Sequence, residues 1–311
     1  MLKRIILLAL IASVMAGGCS NESTPTDPLP GTPADTASLA SLYDELPNVA
    51  GCFEGRLKAA EKTKVLDYVN AIRRLHGLEA VTYSASDDIN TAKAALIIVA
   101  NATLTHTPTP SMTCYTAEGL TGSGTSNLAM RSGGTPSSAV YIDQFLIDNG
   151  VVSLGHRRWI IDPFLSAISF GRVDRTVGGA LNGAALRVIF DQQKDIRNTS
   201  IELVAYPYHD YPARLLPTNG VLSLTVIHDR TSRSSNDGVD YSGAAVTVTS
   251  ETGATITTEN LGSDDDGYGV PNVFRFRAPG ITTGIRYNVV VRNVVVDGAA
   301  REFSWWFKLV S

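Results

Sequence analysis

Between Lys58 and His76, apolar positions return every three or four residues, at Val65, Val69, Ile72 and Leu75. Lys62, Lys64, Asp67, Arg73 and Arg74 decorate the remaining positions. That period predicts an amphipathic helix over 58–76, closed by His76 in the last turn and by Gly77 as the left-handed cap. His76 therefore reads as a helix-end residue and not as a ligand. A second helix is predicted from a Ser84–Asp87 cap through Ile89, Ala92, Ala95, Leu96 and Val99. Its run AALIIVANA has no polar face, so it should be buried nearly all round. Residues 103–134, rich in Thr, Ser, Gly and Pro, read as one long irregular segment, a kind that is functional or disordered. Thr135-Pro136 then opens a third helix through Val140, Tyr141, Phe145 and Leu146, stopping at Asn149-Gly150. A short fourth helix fits 153–161 before Pro163, and strands fit 167–173 and 185–191.

Beyond about Ser200 the pattern changes to short β-branched runs separated by Gly, Asp, Asn and Pro: VLSLTVIHD, AAVTVTSET, ATITTE, VFRFRAP, RYNVVVRNVVV and REFSWWFKLV. Asp297-Gly298 between the last two is a strong two-residue hairpin turn. These runs predict a small, independent antiparallel sandwich of Ig-like type. In its last strand Phe303, Trp305 and Phe307 should share the buried face, leaving Ser304, Trp306 and Lys308 on the other. The stretch from Tyr206-Pro207 to Pro217 reads as an interdomain linker.

The first residues follow neither period. Lys3 and Arg4 precede an apolar stretch, Ile5 to Met15, interrupted only by Ser13. It is too short to cross a bilayer, which takes about 20 apolar residues, and reads as a signal peptide over 1–18. Ala16-Gly17-Gly18-Cys19 follows, and resembles the lipobox of bacterial lipoproteins, in which the cysteine is acylated and becomes the mature N-terminus. Ala16 stands where Leu is usual, so cleavage by an ordinary signal peptidase is the alternative. The Pro-rich polar segment that continues to about residue 40 makes an extended tether. The expected organisation is thus 1–18 signal, 19–40 lipidated Cys and tether, 41–200 a first domain and 201–311 a β-sandwich.

Charge and cysteine content narrow the functional classes. The formal net charge of −4 becomes −6 once Lys3 and Arg4 are removed, and no basic run is present, which excludes nucleic acid as a partner. Lipid on Cys19 would leave Cys52 and Cys114, in an oxidising compartment, as a disulfide pair; two free thiols are the other reading.

Familiar catalytic signatures are missing: there is no His-Glu-x-x-His helix, no Gly-x-Ser-x-Gly elbow and no P-loop. Asp264-Asp265-Asp266-Gly267 offers oxygens for calcium without EF-hand spacing, and reads as a solvated loop. What does stand out is an ordered series: LDYVNAIRRLHGLEAVTYS, the buried helix followed by LTHTP, Ser126-Asn127-Leu128, a helix ending FLIDNG, GHRRWIIDP and ISFGRV. This series resembles the CAP superfamily, also called SCP-like. Asn70, Arg73, Gly77 and Leu78 match its first-helix pattern. His106, Ser126-Asn127-Leu128-Ala129, His156-Arg157 with Ile160, and Phe170-Gly171 match the later pieces. The resemblance implies an α+β chain: a CAP-type α-β-α sandwich with a central antiparallel sheet, followed by the all-β region.

It also implies a cleft with two His and two acidic residues, which in some members binds zinc or another divalent cation. The histidines fall on His106 and His156, and one acid falls on Asp148, three residues after Phe145. The other acid would precede Asn127, where this chain has Ser126. His106, His156 and Asp148 are the candidate metal ligands, with Asp148 alternatively an acceptor that orients a histidine; His106, Ser126, Asn127, Asp148 and His156 are the candidate cleft. The alternative for the histidines is bonding to loop backbone and helix ends.

Three functions are compatible with these residues. The first is a non-enzymatic binding module, extracytoplasmic and lipid-anchored to a bacterial membrane, facing an extracellular ligand or envelope component. The second is a metal-dependent hydrolase of cell-wall or extracellular material, which needs a general base beside a metal-bound water. The third is lipid or sterol binding, which the resemblance implies for some members.

Overall fold

A computed structural model describes residues 32–34 and 36–311. The signal peptide, Cys19 and most of the tether lie outside the described residues. Ordered contacts begin before the expected end of the tether: the Ala37 amide donates to Thr135 O and the Ser137 amide to Ala34 O. A short helix, α1 (Leu39–Leu42), leads into β1 (Tyr43–Glu45), which pairs with β2 (Arg56–Leu57). Helix α2 (Ala59–Leu75) forms where the 3.6-residue period places it, and its His76 is the C-cap residue. After β3 (Thr82–Tyr83) comes α3 (Asp88–Asn101), buried continuously from Ala94 to Val99.

The segment expected to be irregular, 103–134, contains α4 (Ala117–Gly124) and β4 (Ser126–Ser132). Glycine is a poor helix former, which hides α4 in the sequence. Its purpose here is proximity. A Cβ on Gly122 would stand 2.0 Å from Asn90 O, and one on Gly119 2.4 Å from the Ile97 side chain, so bare glycines let α4 lie directly on α3. Helix α5 (Ala139–Ile147) starts later than Thr135-Pro136 predicts, because those residues are held in the backbone contacts to 34–37. It ends at Asp148 in the left-handed conformation, not at Asn149-Gly150. Helix α6 (Gly155–Ile160) and strands β5 (Ala167–Arg175) and β6 (Leu181–Arg187) follow; β6 sits four residues earlier than its apolar run suggests.

These strands form a four-stranded sheet, β3-β5-β6-β4, between two helical layers. The period of two along β5 sorts its side chains. Ile168 and Phe170 join the core containing α2 and α5 residues, while Val173 joins the cluster of Ala95, Leu96 and Val99 from α3. Gly171 faces the same way as Val173; a Cβ there would stand 2.2 Å from the Thr91 backbone. The chain is α+β, as expected. One feature of the sheet differs from the expectation: β3 runs parallel to β5, and only the other pairs are antiparallel.

The remainder is all β: β7 (Leu203–Tyr206), β8 (His209–Pro212), β9 (Leu222–Val226), β10 (Val239–Asp240), β11 (Ala245–Ser250), β12 (Thr255–Ile256), β13 (Glu259–Asp264), β14 (Val273–Arg277), β15 (Arg286–Val296) and β16 (Ala299–Val310). One sheet has the order β12-β11-β15-β16-β8 with β10 on β15; the other is β13-β14-β9-β7. Strand β8 runs parallel to β16, so the expected purely antiparallel arrangement is corrected. Asp297 and Gly298 both have positive φ, as the tight hairpin between β15 and β16 requires. Phe303, Trp305 and Phe307 are buried and Trp306 is half-exposed, the alternation read from the sequence.

The two regions are not independent of each other. One hydrophobic core runs from α2 and α5 into the β-region. The supposed linker is part of it: Tyr206 and Tyr211 are fully buried, His76 Nδ1 donates to Ala205 O at 2.7 Å, and Tyr211 Oη meets His76 Nε2 at 3.2 Å. Burial pushes the His76 ring down to about pKa 4, with Arg157 and Arg73 adding to the shift against the Ala205 bond. Alternating Tyr and Pro resemble a linker in composition, but here the rings are the packing.

Cys52 and Cys114 form a disulfide, tying the segment before α2 to the loop before α4.

Candidate functional site

The family-like residues of α2 turn out to be fasteners. Asn70 bonds the Val81 backbone in both directions, Nδ2 to O at 3.0 Å and amide to Oδ1 at 2.8 Å. Arg73, fully buried, donates to the carbonyls of Glu79, Ile160 and Asp162. Arg73 thereby holds the end of the short helix α6, whose first turn carries His156.

His106 and His156 line one cleft of about 440 Å³. They arrive from opposite layers. His106 follows α3, and its Nδ1 donates to Ser123 O near the end of α4 at 2.8 Å. His156 stands in the first turn of α6, stacked on Phe145 with centroids 5.5 Å apart. Strand β4, at the sheet edge, passes between them: Ser126 and Asn127 open it, and both line the cleft. Asn127 Nδ2 donates to His156 O at 3.0 Å, fastening α6 to the strand.

Asp148 lies beneath this site, 3 % exposed. Its left-handed backbone ends α5 and turns the carboxylate toward α6. Oδ1 accepts from His156 Nδ1 at 2.8 Å, and Oδ2 accepts the backbone amides of His156 at 3.0 Å and Arg157 at 3.3 Å. Two of the donors that every helix start leaves without an intrahelical partner are thereby satisfied. Of the two roles expected for Asp148, ligand or acceptor that orients a histidine, the geometry is that of the second: both oxygens are engaged, and one holds the His156 ring.

The acceptors define both imidazoles. A carbonyl and a carboxylate can only accept, so each neutral ring carries its proton on Nδ1 and its lone pair on Nε2. The Ser126 hydroxyl, 4 % exposed, has no hydrogen-bond partner among the described residues. No aspartate, glutamate, lysine or arginine lines the cleft.

The donor set does not fit a resident zinc. A protein zinc site takes three or four protein ligands, and two imidazoles with Ser126 in place of a carboxylate fall short. Among the described residues no three His, Cys, Asp or Glu side chains group as a metal site. The Asp264–Asp266 loop is likewise engaged elsewhere, since Asp264 pairs with Arg158.

Two arginines couple the cleft to the β-region. Arg157 is buried, donates to Leu146 O, Ile147 O and Val221 O, and lies 3.7 Å from the Tyr206 ring centre. Burial pulls its pKa below the usual guanidinium value, while Tyr206 and Asp148 oppose the shift. Arg158 holds the loop after β13, through Asp264 and the carbonyls of Asp266 and Val270. That loop sets Gly267 and Tyr268 in the cleft lining, which also includes Trp159. The sequence reading missed Tyr268 and Trp159. An aromatic in an Asp/Gly-rich loop was the only local signal, and the partner it faces lies more than a hundred residues away.

No family model matches this chain, and no curated protein is similar to it in sequence. Among solved structures it is similar to an extracellular protein containing an SCP domain from Bacillus anthracis str. Ames, at 13 % identity and a TM-score of 0.29. The match spans 42 % of this chain and 42 % of that one.

Proposed function

We propose that this chain is an exported, membrane-anchored CAP-domain protein acting as a binding module at the cell surface or in the envelope, with the His106–His156 cleft as its ligand site. The observation that carries this reading is how the two rings are held: each Nδ1 is bonded to a protein oxygen, which leaves each Nε2 for a ligand in a cleft lined by no Asp, Glu, Lys or Arg. Side chains locked in this way favour recognition, because little freedom is lost when a ligand binds. The Cys52–Cys114 disulfide supports an oxidising compartment, and the signal-like segment before Cys19 supports export. Among the described residues no helix is long and apolar enough to cross a membrane.

A hydrolase is the second reading, favoured by one observation. The Asp148–His156 pair is the arrangement that makes a general base of an imidazole. One experiment addresses both: the full chain in detergent is incubated with purified cell-wall sacculi and sedimented. A binding module co-sediments without releasing soluble fragments, and loses retention in His106→Ala/His156→Ala. Fragment release abolished by His156→Ala would establish the hydrolase instead. Retention that is absent, or indifferent to both histidines, would overturn the binding reading. Anchoring is checked separately, since Cys19→Ser should abolish palmitate labelling.

A further inference from the structure

The geometry points to a neutral oligosaccharide as the ligand of this cleft, with Tyr268 of the β-region as the platform on which a sugar ring lies. The inference rests on the binding-module reading above and names its ligand class. Three observations converge on it.

The first is charge. No Asp, Glu, Lys or Arg side chain lines the cleft to pair with a phosphate, a carboxylate or an ammonium, and burying an unpaired charge there is unfavourable. The second is the hydrogen-bond inventory. His106 Nε2 and His156 Nε2 can only accept from a ligand while neutral, and the Ser126 hydroxyl, buried and unpartnered, can both donate and accept. A ligand satisfying these groups must present several O–H donors close together along with acceptor oxygens. Vicinal hydroxyls on a pyranose ring do so; a lipid chain would leave the Ser126 hydroxyl without a bond.

The third is the aromatic ring beside His156. Tyr268 is 43 % exposed yet held, because Arg158 pins its loop from beneath. Gly155 sits against the ring: a Cβ there would stand 3.2 Å from Tyr268 Cγ. Gly269, at φ +66, lets the loop pass over Arg158, where a Cβ would meet the Arg158 carbonyl at 2.8 Å. An aromatic face fixed in the open side of a cleft that also holds Val151, Trp159, Val188 and Ile189 suits the C–H face of a sugar, while the His and Ser groups suit its polar edge. The volume of about 440 Å³ lies within the roughly 300–1,000 Å³ of small-molecule sites. The lining carries no carboxylate, whereas glycosidic cleavage ordinarily uses a pair of them, so the sugar is held and not cut.

The test titrates the full chain in detergent with four uncharged tetramers, of glucose, mannose, galactose and N-acetylglucosamine, and with tetragalacturonate as the charged counterpart. Binding is followed by calorimetry. At least one uncharged tetramer should bind, at least ten-fold more tightly than tetragalacturonate. Tyr268→Ala should weaken it ten-fold or more, and Tyr268→Phe should retain it. Tyr268 is exposed, so these variants fold. Ser126→Ala should weaken binding without changing the preference for uncharged sugar. Failure of all four tetramers, tighter binding of the charged one, or indifference to Tyr268→Ala would overturn the inference. If the tetramers fail while His-dependent retention on sacculi persists, only the ligand class falls and the binding-module reading stands.

Discussion

Asp148 and His156 are joined twice: Oδ1 of the aspartate accepts the ring Nδ1 proton at 2.8 Å, and Oδ2 accepts the backbone amide of the same residue at 3.0 Å. One buried carboxylate thus sets both where α6 starts and which ring nitrogen carries the proton. Fold and site share a single side chain here.

Asp148→Ala should therefore destabilise the protein by about 2–3 kcal/mol, since it leaves buried donors unpaired, the ring N–H among them. Asp148→Asn should cost less, because its amide oxygen retains one acceptor and asparagine tolerates the left-handed backbone. Urea unfolding of the three proteins checks the order, and equal midpoints would refute the capping role.

Helix α4 depends on glycine for its seat on α3. Gly122→Ala places a methyl group 2.0 Å from Asn90 O, backbone that cannot step aside without moving a helix. A loss of about 3 kcal/mol is expected, against the usual gain from alanine in a helix. An unchanged or raised melting temperature would show that α4 does not pack as described.

The disulfide closes a loop of 62 residues, for which the chain-entropy model gives about 4 kcal/mol. Cys52→Ser/Cys114→Ser should lower stability by an amount of that order, and mass spectrometry of unreduced protein should find neither thiol alkylated. Two reactive thiols would contradict the bond.

Acid should find the His76 junction. Its folded pKa of about 4 lies below the unfolded value near 6.5, so between these limits the unfolded chain binds the extra proton. Stability from the neutral ring is complete above pH 6.5 and is lost as pH falls, by about 3 kcal/mol at pH 4. His76→Gln should flatten that part of the stability–pH curve relative to wild type; identical slopes would mean another group is responsible.

The sequence alone determined much of the local structure, because local structure follows from short-range periods. The 3.6-residue spacing of Val65, Val69 and Ile72 is enough to place α2, and the alternation through Phe303, Trp305 and Phe307 is enough to choose which tryptophan is buried. Ordered motifs also placed His106 and His156 among the site candidates. The resemblance also implies their joint cleft with Asp148 beside it; which atoms of these side chains are engaged needed the fold. Asp148 reads from the sequence as a ligand or as an acceptor that orients a histidine, and only the approach of α6 engages both of its oxygens. Helix α4 stayed hidden because the glycines that disfavour it locally are the ones that let it touch α3, an advantage visible only in the neighbouring helix. Tyr268 is the extreme case: its wall exists because Arg158, 110 residues earlier, reaches across to hold its loop, and no local period carries information over that separation.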